Sequence, residues 1–411
     1  MDFSFSHLSQ QRACATLLAY TAHSFLPILK PIQSTVRPWG FYCDFIAENP
    51  VDELVLTLLS EQMRRLVRAD LAYSSRTMLA HNAGDFLKKL QPLQSLLVQD
   101  LETALVELIE IDSFYDVVQE EGQICLKSTG EIEEFVLVCL EKKAAVYPLL
   151  PDVDVVRIHG AVFSDKKACK AYVKAFALAA KEDLLEKARA ADLVVLSNGW
   201  PCWYPRGIAL YEEITTKWKE LCKKQGIWQI NAPSHQLKET HLSLLERLKD
   251  RCHATGQWVQ FDQDIAIQQC EGLFQTKQCL QDFVFRLCSF EQFDEQLISS
   301  LQFIQELHSI NSIETKCVFV CSKARRMQVL QEKMQQSIEQ YGLQVTLEES
   351  SEVNAGPLLE FRIQDLRGRQ WLFAYVEAEL SGKSVRIIHS AFVSLERLVA
   401  IILERGGFKK A

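Results

Sequence analysis

Residues 356–407 constrain the fold more than any other part of this 411-residue chain. Leu359, Phe361 and Ile363 alternate along one strand, and Trp371, Phe373 and Tyr375 share a face of the next. Asp365-Leu366-Arg367-Gly368 between them supplies turn residues, so the pair predicts a hairpin with one buried face. A third strand over 385–389 leads into an apolar helix over 394–404, closed by Gly406 where helices favour glycine. Arg397 then falls on the first turn of that helix, beside the sheet. An arginine there is placed either to hold a triphosphate or to make a structural ion pair.

The rest of the chain can supply a core for that sheet. Its length predicts two or three domains. With 48% hydrophobic and 24% charged residues the composition is that of a soluble globular protein. A net charge of −8 argues against a broad phosphate-binding surface. The start, MDFSFSHLSQQ, lacks a basic segment followed by an apolar run, and no stretch is long and apolar enough to span a bilayer. A cytoplasmic location and no membrane association are expected. Thirteen cysteines include no C-x2-C pair, and Cys252-His253 has no matching pair elsewhere. They read as free buried thiols in a reducing compartment.

Along the chain, helical patterns over 10–22 and 50–69 flank a strand-like 39–45, and Asn82-Ala83-Gly84 precedes further helix. Strands follow over 123–126, 135–140 and 153–163, the last leading through Ser164-Asp165 into a long helix to about residue 190. After the aromatic loop 200–205 come Ile208, Tyr211, Ile214, Trp218 and Leu221 at helical spacing, stopped by Gly226, and then a strand over 227–232. Residues 290–307 and 324–341 read as helices, with strands over 316–321 and 343–347. Mostly antiparallel strands flanked by helices predict an α+β fold.

Trp203-Tyr204-Pro205-Arg206-Gly207, the helix after it and Ile230-Asn231-Ala232-Pro233 resemble motif 1 of class II aminoacyl-tRNA synthetases, specifically the threonyl enzyme. The segment RIHGAVFSDKKACKAYVKAFALAAKED is similar to that family's strand and linker helix. Gly40-Phe41-Tyr42-Cys43-Asp44-Phe45 and Ser128-Thr129-Gly130 resemble landmarks of its editing domain, and the closing segment resembles the run ending in motif 3. The resemblance divides the chain into an editing-like α/β domain (1–163), a linker helix (164–198) and a synthetase-core-like domain with a mostly antiparallel sheet (199–411). It also implies that the ubiquitin-like N-terminal and anticodon-binding C-terminal domains are absent.

The resemblance further implies where chemistry should sit. Arg397 matches the motif 3 arginine that meets ATP, although the glycine before Ser-Leu-Glu-Arg is deleted. Motif 2, expected between Lys238 and Cys288, is shortened, and Arg286 has Ser289 rather than glutamate three positions on. Of the family's zinc ligands, His389 matches one, Phe285 replaces the second, and Cys252 is the weak counterpart of the third. One ligand does not make a site, so zinc is not expected. In the amino-acid pocket, Ala355-Gly356-Pro357-Leu358 replaces Tyr-Gly-Pro-Lys. Tyr375 and Glu377 there crowd the site and repel a substrate carboxylate. In the editing domain, Arg12 and Thr16 stand for both histidines of H-x3-H. Cys125 matches the cysteine of the second pair without its histidine, and nothing in the spacing gathers His7, His23 and His81.

The main expectation is a synthetase paralogue inactive in aminoacylation and editing, acting by binding and without a resident cofactor. A homodimer is expected, or a heterodimer with a genuine synthetase, through motif 1, with Trp203, Ile214, Trp218, Trp228 and Pro233 as anchors; the alternative is that these aromatics are core. A second reading is an ATP-dependent, adenylate-forming ligase on a changed substrate, with ATP held by Arg397. A third is tRNA binding without chemistry, through Arg64, Arg65 and Arg68, whose plainer reading is a solvated helix face.

Overall fold

The computed structural model describes residues 6–37, 39–99, 104–118, 126–143, 155–179, 183–248, 251, 253–263, 270, 272–310, 313–322, 324–349, 356–382 and 384–407. They divide into two compact units, one of residues 1–181 with 366–368 and one of 182–365 with 369–411. No helix among the described residues is long and apolar enough to cross a membrane.

The first unit contains α1 (Leu8–Phe25), β1 (Leu29–Arg37), β2 (Gly40–Ala47), α2 (Leu54–Ala69), β3 (Tyr73–Leu79), α3 (Ala80–Leu87), α4 (Pro92–Gln99), β4 (Leu105–Ile111), β5 (Phe114–Val118), β6 (Glu134–Lys143), β7 (Val155–Phe163) and α5 (Lys166–Ala179). Two antiparallel sheets form, ordered β1-β2-β7-β6 and β3-β4-β5. Helix α1 is buried continuously from Gln11 to Ala22. Such a helix must be covered on every side, and β1, β2, β5 and α2 do so. Its one buried amide is satisfied: Gln11 accepts from Val162 N–H at 3.0 Å and donates to Val162 O at 2.9 Å.

The second unit contains α6 (Leu184–Ala190), β8 (Val194–Ser197), β9 (Trp200–Trp203), α7 (Pro205–Lys224), β10 (Trp228–Gln229), α8 (Leu237–Leu248), β11 (Ala254–Asp262), β12 (Gln278–Ser289), α9 (Phe293–Ile310), β13 (Lys316–Cys321), α10 (Gln328–Gln340), β14 (Val345–Glu349), β15 (Leu358–Gln364), β16 (Gln370–Ser381), β17 (Ser384–Ser390) and α11 (Leu395–Glu404). Eight strands form one sheet, ordered β10-β11-β12-β17-β16-β15-β13-β14. It is antiparallel except at its edges, where β10 pairs with β11 and β13 with β14 in parallel. Side chains of α7, α9, α10 and α11 build the main core on one face, and α8 covers part of the other. In α11 alone, Leu395, Leu398, Val399 and Ile401 are buried, each worth about 1.5–3 kcal/mol relative to exposure. The α+β expectation is met.

Several boundaries differ for local reasons. The long helix expected to residue 190 is two helices, because Asp183 is extended and its carboxylate caps α6 by accepting from Leu185 N and Glu186 N. Asn82-Ala83-Gly84 lies inside α3 rather than before it. The strand expected over 227–232 shrinks to β10, and β1 carries no sequence expectation at all. The strand expected over 123–126 falls mostly outside the described residues.

A larger correction concerns the closing hairpin. A bulge shifts the register of β15 and β16 next to Phe361 and Arg362, so Ile363 faces Trp371 while Leu359 faces Val376. One extra residue inverts the alternation. Trp371 and Phe373 therefore join Leu359, Phe361 and Ile363 in the main core, while Tyr375 turns to the opposite face.

Candidate functional site

Arg397 opens α11, whose N-terminus is capped by Ser394 Oγ accepting from Arg397 N–H at 3.2 Å. Its guanidinium is buried, with 7% of the residue exposed. Nε donates to Phe274 O at 2.9 Å, and Nη1 donates to Leu372 O. The guanidinium carbon stands 5.2 Å from the centre of the Trp371 ring. Burial pulls the Arg397 pKa down to about 10. Beside it, Glu396 is fully buried. Its Oε2 accepts from Leu280 N at 3.2 Å and Ser394 Oγ at 3.0 Å. Burial nevertheless pushes its carboxyl up to about 7. The Arg397 guanidinium is thus occupied by two of the chain's own carbonyls and the face of one ring.

The β11–β12 hairpin occupies the expected motif 2 region. Its only arginine is Arg286, which is 2% exposed. Nη1 of Arg286 donates to Gln296 Oε1 at 3.1 Å and Nη2 donates to Gln225 Oε1, on the helix-backed face. Desolvation lowers its pKa to about 10.

His389 sits in β17 between Val284 and Val376 and is fully buried. Its ring lies 5.2 Å from Phe303 of α9, and among the described residues neither ring nitrogen has a hydrogen-bond partner. Burial, then the charge of Arg286, holds its pKa well below the usual value, so the ring is neutral. Phe285, at the position of a second zinc ligand, pairs with Ile388 one step away. Adjacent strand residues point to opposite faces, so Phe285 joins Val259, Phe283 and Ile388 on the α8 side. His389 and position 285 therefore cannot share an ion. Cys125, Cys252 and Ala355 lie outside the described residues. Tyr375 packs beside the Phe285 cluster, and burial followed by the Glu377 charge raises its phenol pKa.

Two buried polar centres carried no sequence signal. Asp282, fully buried in β12, accepts from Trp218 Nε1 at 2.9 Å, Ala391 N at 2.9 Å and Phe392 N at 2.7 Å. Burial outweighs these bonds and lifts its pKa to about 6. It ties α7 to the loop entering α11. His241 of α8 stacks on Phe285 at 4.3 Å and bonds Thr255 Oγ1 at 2.8 Å and Gln257 Oε1 at 3.1 Å. Burial takes its pKa to about 4, that of a neutral core histidine.

In the first unit, Arg12 and Thr16 lie on one turn of α1 and converge on Asp116 of β5. Thr16 Oγ1 and Ser34 Oγ each donate to Asp116 Oδ2 at 2.6 Å, while Arg12 Nη1 donates to Ser34 O and Oγ, both at 3.2 Å. All four residues are at least 98% buried, and burial raises the Asp116 pKa against the opposing pull of Arg12. His7 and His23 are exposed near opposite ends of α1, and exposed His81 faces Asp85 within α3. Arg64, Arg65 and Arg68 lie on the exposed face of α2, with Arg64 over the Phe135 ring at 5.7 Å.

Of the interface candidates, Ile214 and Trp218 are each 1% exposed and belong to their own unit's core. Trp203 is half-buried against that core, whereas Pro233 is exposed and Trp228 is 44% exposed. Gly207 explains the start of this motif: a Cβ there would lie 2.0 Å from Leu193 O and 2.7 Å from the Trp203 ring, so only glycine lets α7 approach so closely.

The second unit thus joins an eight-stranded, mostly antiparallel sheet to a helical backing and the terminal helix α11. No protein-family model matches the chain. The chain is nevertheless a homologue of threonyl-tRNA synthetases over most of its length. It is 21% identical to the threonine–tRNA ligase of Alkalilimnicola ehrlichii, with 96% of this chain aligned to 71% of that protein. Against the threonine–tRNA ligase of Halorhodospira halophila it is 22% identical, over 94% of this chain and 71% of the relative. Among solved structures, the RNA-binding domain of threonyl-tRNA synthetase from Cryptosporidium parvum aligns with TM-score 0.49 at 13% identity, over 55% of this chain and 73% of that one. The histidyl-tRNA synthetase of S. aureus aligns with TM-score 0.40 at 11% identity, over 52% and 71%.

Proposed function

We propose that this threonyl-tRNA synthetase homologue neither activates an amino acid nor edits tRNA, and works by binding. One observation carries the reading. Arg397, the one side chain at a matched ATP-contacting position, is buried and spends its guanidinium on Phe274 O, Leu372 O and the face of Trp371. Adenylate formation builds charge at a phosphate that fixed cations must meet, so a preoccupied arginine removes the largest catalytic contribution. Arg286 on the helix-backed face, and His389 on the face opposite Phe285, support the same conclusion. In the first unit, an Arg12–Ser34–Asp116–Thr16 network stands where hydrolytic histidines are required.

Pyrophosphate exchange, assayed with ATP and each amino acid in turn, tests the reading beside deacylation of seryl-tRNA. No turnover above buffer is expected in either. Exchange that Arg397→Ala abolishes would establish an adenylate-forming enzyme and sink the proposal. The exposed arginines of α2 favour one further reading, an accessory contact with tRNA. Its measure is a gel shift with total tRNA that weakens steeply with salt and on Arg65→Ala/Arg68→Ala.

A further inference from the structure

The sheet β1-β2-β7-β6 carries a second cluster of reactive side chains, none of them at a position to which the synthetase resemblance assigns chemistry. Val136 and Leu137 of β6 pair in simple order with Ala161 and Gly160 of β7, but then Cys139, not Val138, stands opposite His159. This bulge inverts the alternation of β6. Cys139 and Glu141 consequently share the face of His159, while Leu140 and Ile158 turn to the core behind α1. His159 Nε2 lies 3.3 Å from Glu141 Oε2. One ligand atom from each of Cys139, Glu141 and His159 falls within 4.8 Å of the other two. All three are half-buried, so the cluster is reachable from solvent yet partly desolvated. Arg157, the neighbour of His159 on this face, is drawn aside by Asp44 at 2.7 and 2.8 Å and lies 3.9 Å from the Tyr42 ring.

We infer that Cys139, Glu141 and His159 form a three-ligand site for a zinc-type divalent cation, with a fourth position open to solvent. Thiolate, imidazole and carboxylate together suit zinc and cobalt rather than magnesium or calcium. A tetrahedral ion with bonds of about 2.0–2.3 Å sets its ligands roughly 3.3–3.8 Å apart. The His159–Glu141 separation already matches, and the Cys139 sulfur lies within 4.8 Å of both ligand atoms. Cys139 binds as thiolate and releases its proton to solvent.

The test uses the full-length chain, freed of metal by chelator and titrated with cobalt(II) alone. One ion per chain is expected, giving a thiolate-to-cobalt charge-transfer band and the strong visible bands of four-coordination, both erased by zinc. Cys139→Ser should lose the charge-transfer band and His159→Gln the tight binding. Cys202→Ser, at an exposed thiol elsewhere, should keep both. Protection of Cys139 from alkylation by zinc, read by peptide mapping of the unsubstituted chain, gives the same answer without any variant. A wild-type chain with no charge-transfer band, or a band that survives Cys139→Ser, would leave His159–Glu141 an ordinary ion pair and overturn the inference.

Discussion

The indole N–H of Trp218 donates to Asp282 Oδ2 at 2.9 Å, joining helix α7 to the strand that borders β17. The other oxygen of the same carboxylate holds the backbone of Ala391 and Phe392, so the bond sits at the root of the approach to α11. Trp218→Phe keeps most of the ring but removes the donor. The variant should lose about 1–3 kcal/mol in urea unfolding, the cost of a buried acceptor left short. An unchanged midpoint and slope would show that the bond contributes nothing.

His308 makes a prediction with a definite sign. Its Nε2 lies 2.8 Å from Ala391 O, and burial lowers its pKa from 6.5 to about 4. The unfolded chain therefore binds a proton that the native chain refuses. Stability from this group is full above pH 6.5 and is lost as pH falls toward 4. Between pH 7 and 5 the loss is about 2 kcal/mol, and His308→Gln should remove that part of the slope in paired denaturation curves.

Glu396 has the opposite sign. Its folded pKa is raised from 4.5 to about 7, so the native state keeps its proton longer than the unfolded one. Its contribution is present below pH 4.5 and lost as pH rises through 7. Glu396→Gln should gain stability relative to wild type on moving from pH 5 to pH 8. A parallel pair of pH profiles would refute this.

The network in the first unit is open to a double-mutant cycle. Arg12→Met leaves the Asp116 carboxylate without its cation in a fully buried place. A loss of about 3–5 kcal/mol is expected, largely recovered in Arg12→Met/Asp116→Leu. Additive losses would mean that the two groups do not interact.

A dimer expected through motif 1 would have to use its surface residues, because Ile214 and Trp218 are committed to the core. Sedimentation should give a dimer that Trp228→Asp dissociates and Trp218→Phe leaves intact. A wild-type chain that is monomeric at every concentration would refute the assembly.

Much of the architecture was legible because it follows from local chemistry. The Asp365–Gly368 turn, the stop at Gly406 and the apolar stripe of α7 each depend on residues close in sequence. The residue types at the positions the resemblance marks were legible too: no packing can make Phe285 coordinate a metal. The direction of side chains was not legible, since it depends on register between strands far apart in the chain. The bulge beside Arg362 sent Tyr375 away from Phe373, and pairing of β12 with β17 put His389 and Phe285 on opposite faces. Cysteine spacing alone gave no metal site, because Cys139 and His159 meet only through the bulged ladder of β6 and β7. The sequence by itself determined turns, helix stops and apolar stripes, and which residue types stand at the positions the resemblance marks, since these are local properties. Only the tertiary structure decided which remaining polar groups face one another, because one residue of register inverts an entire strand.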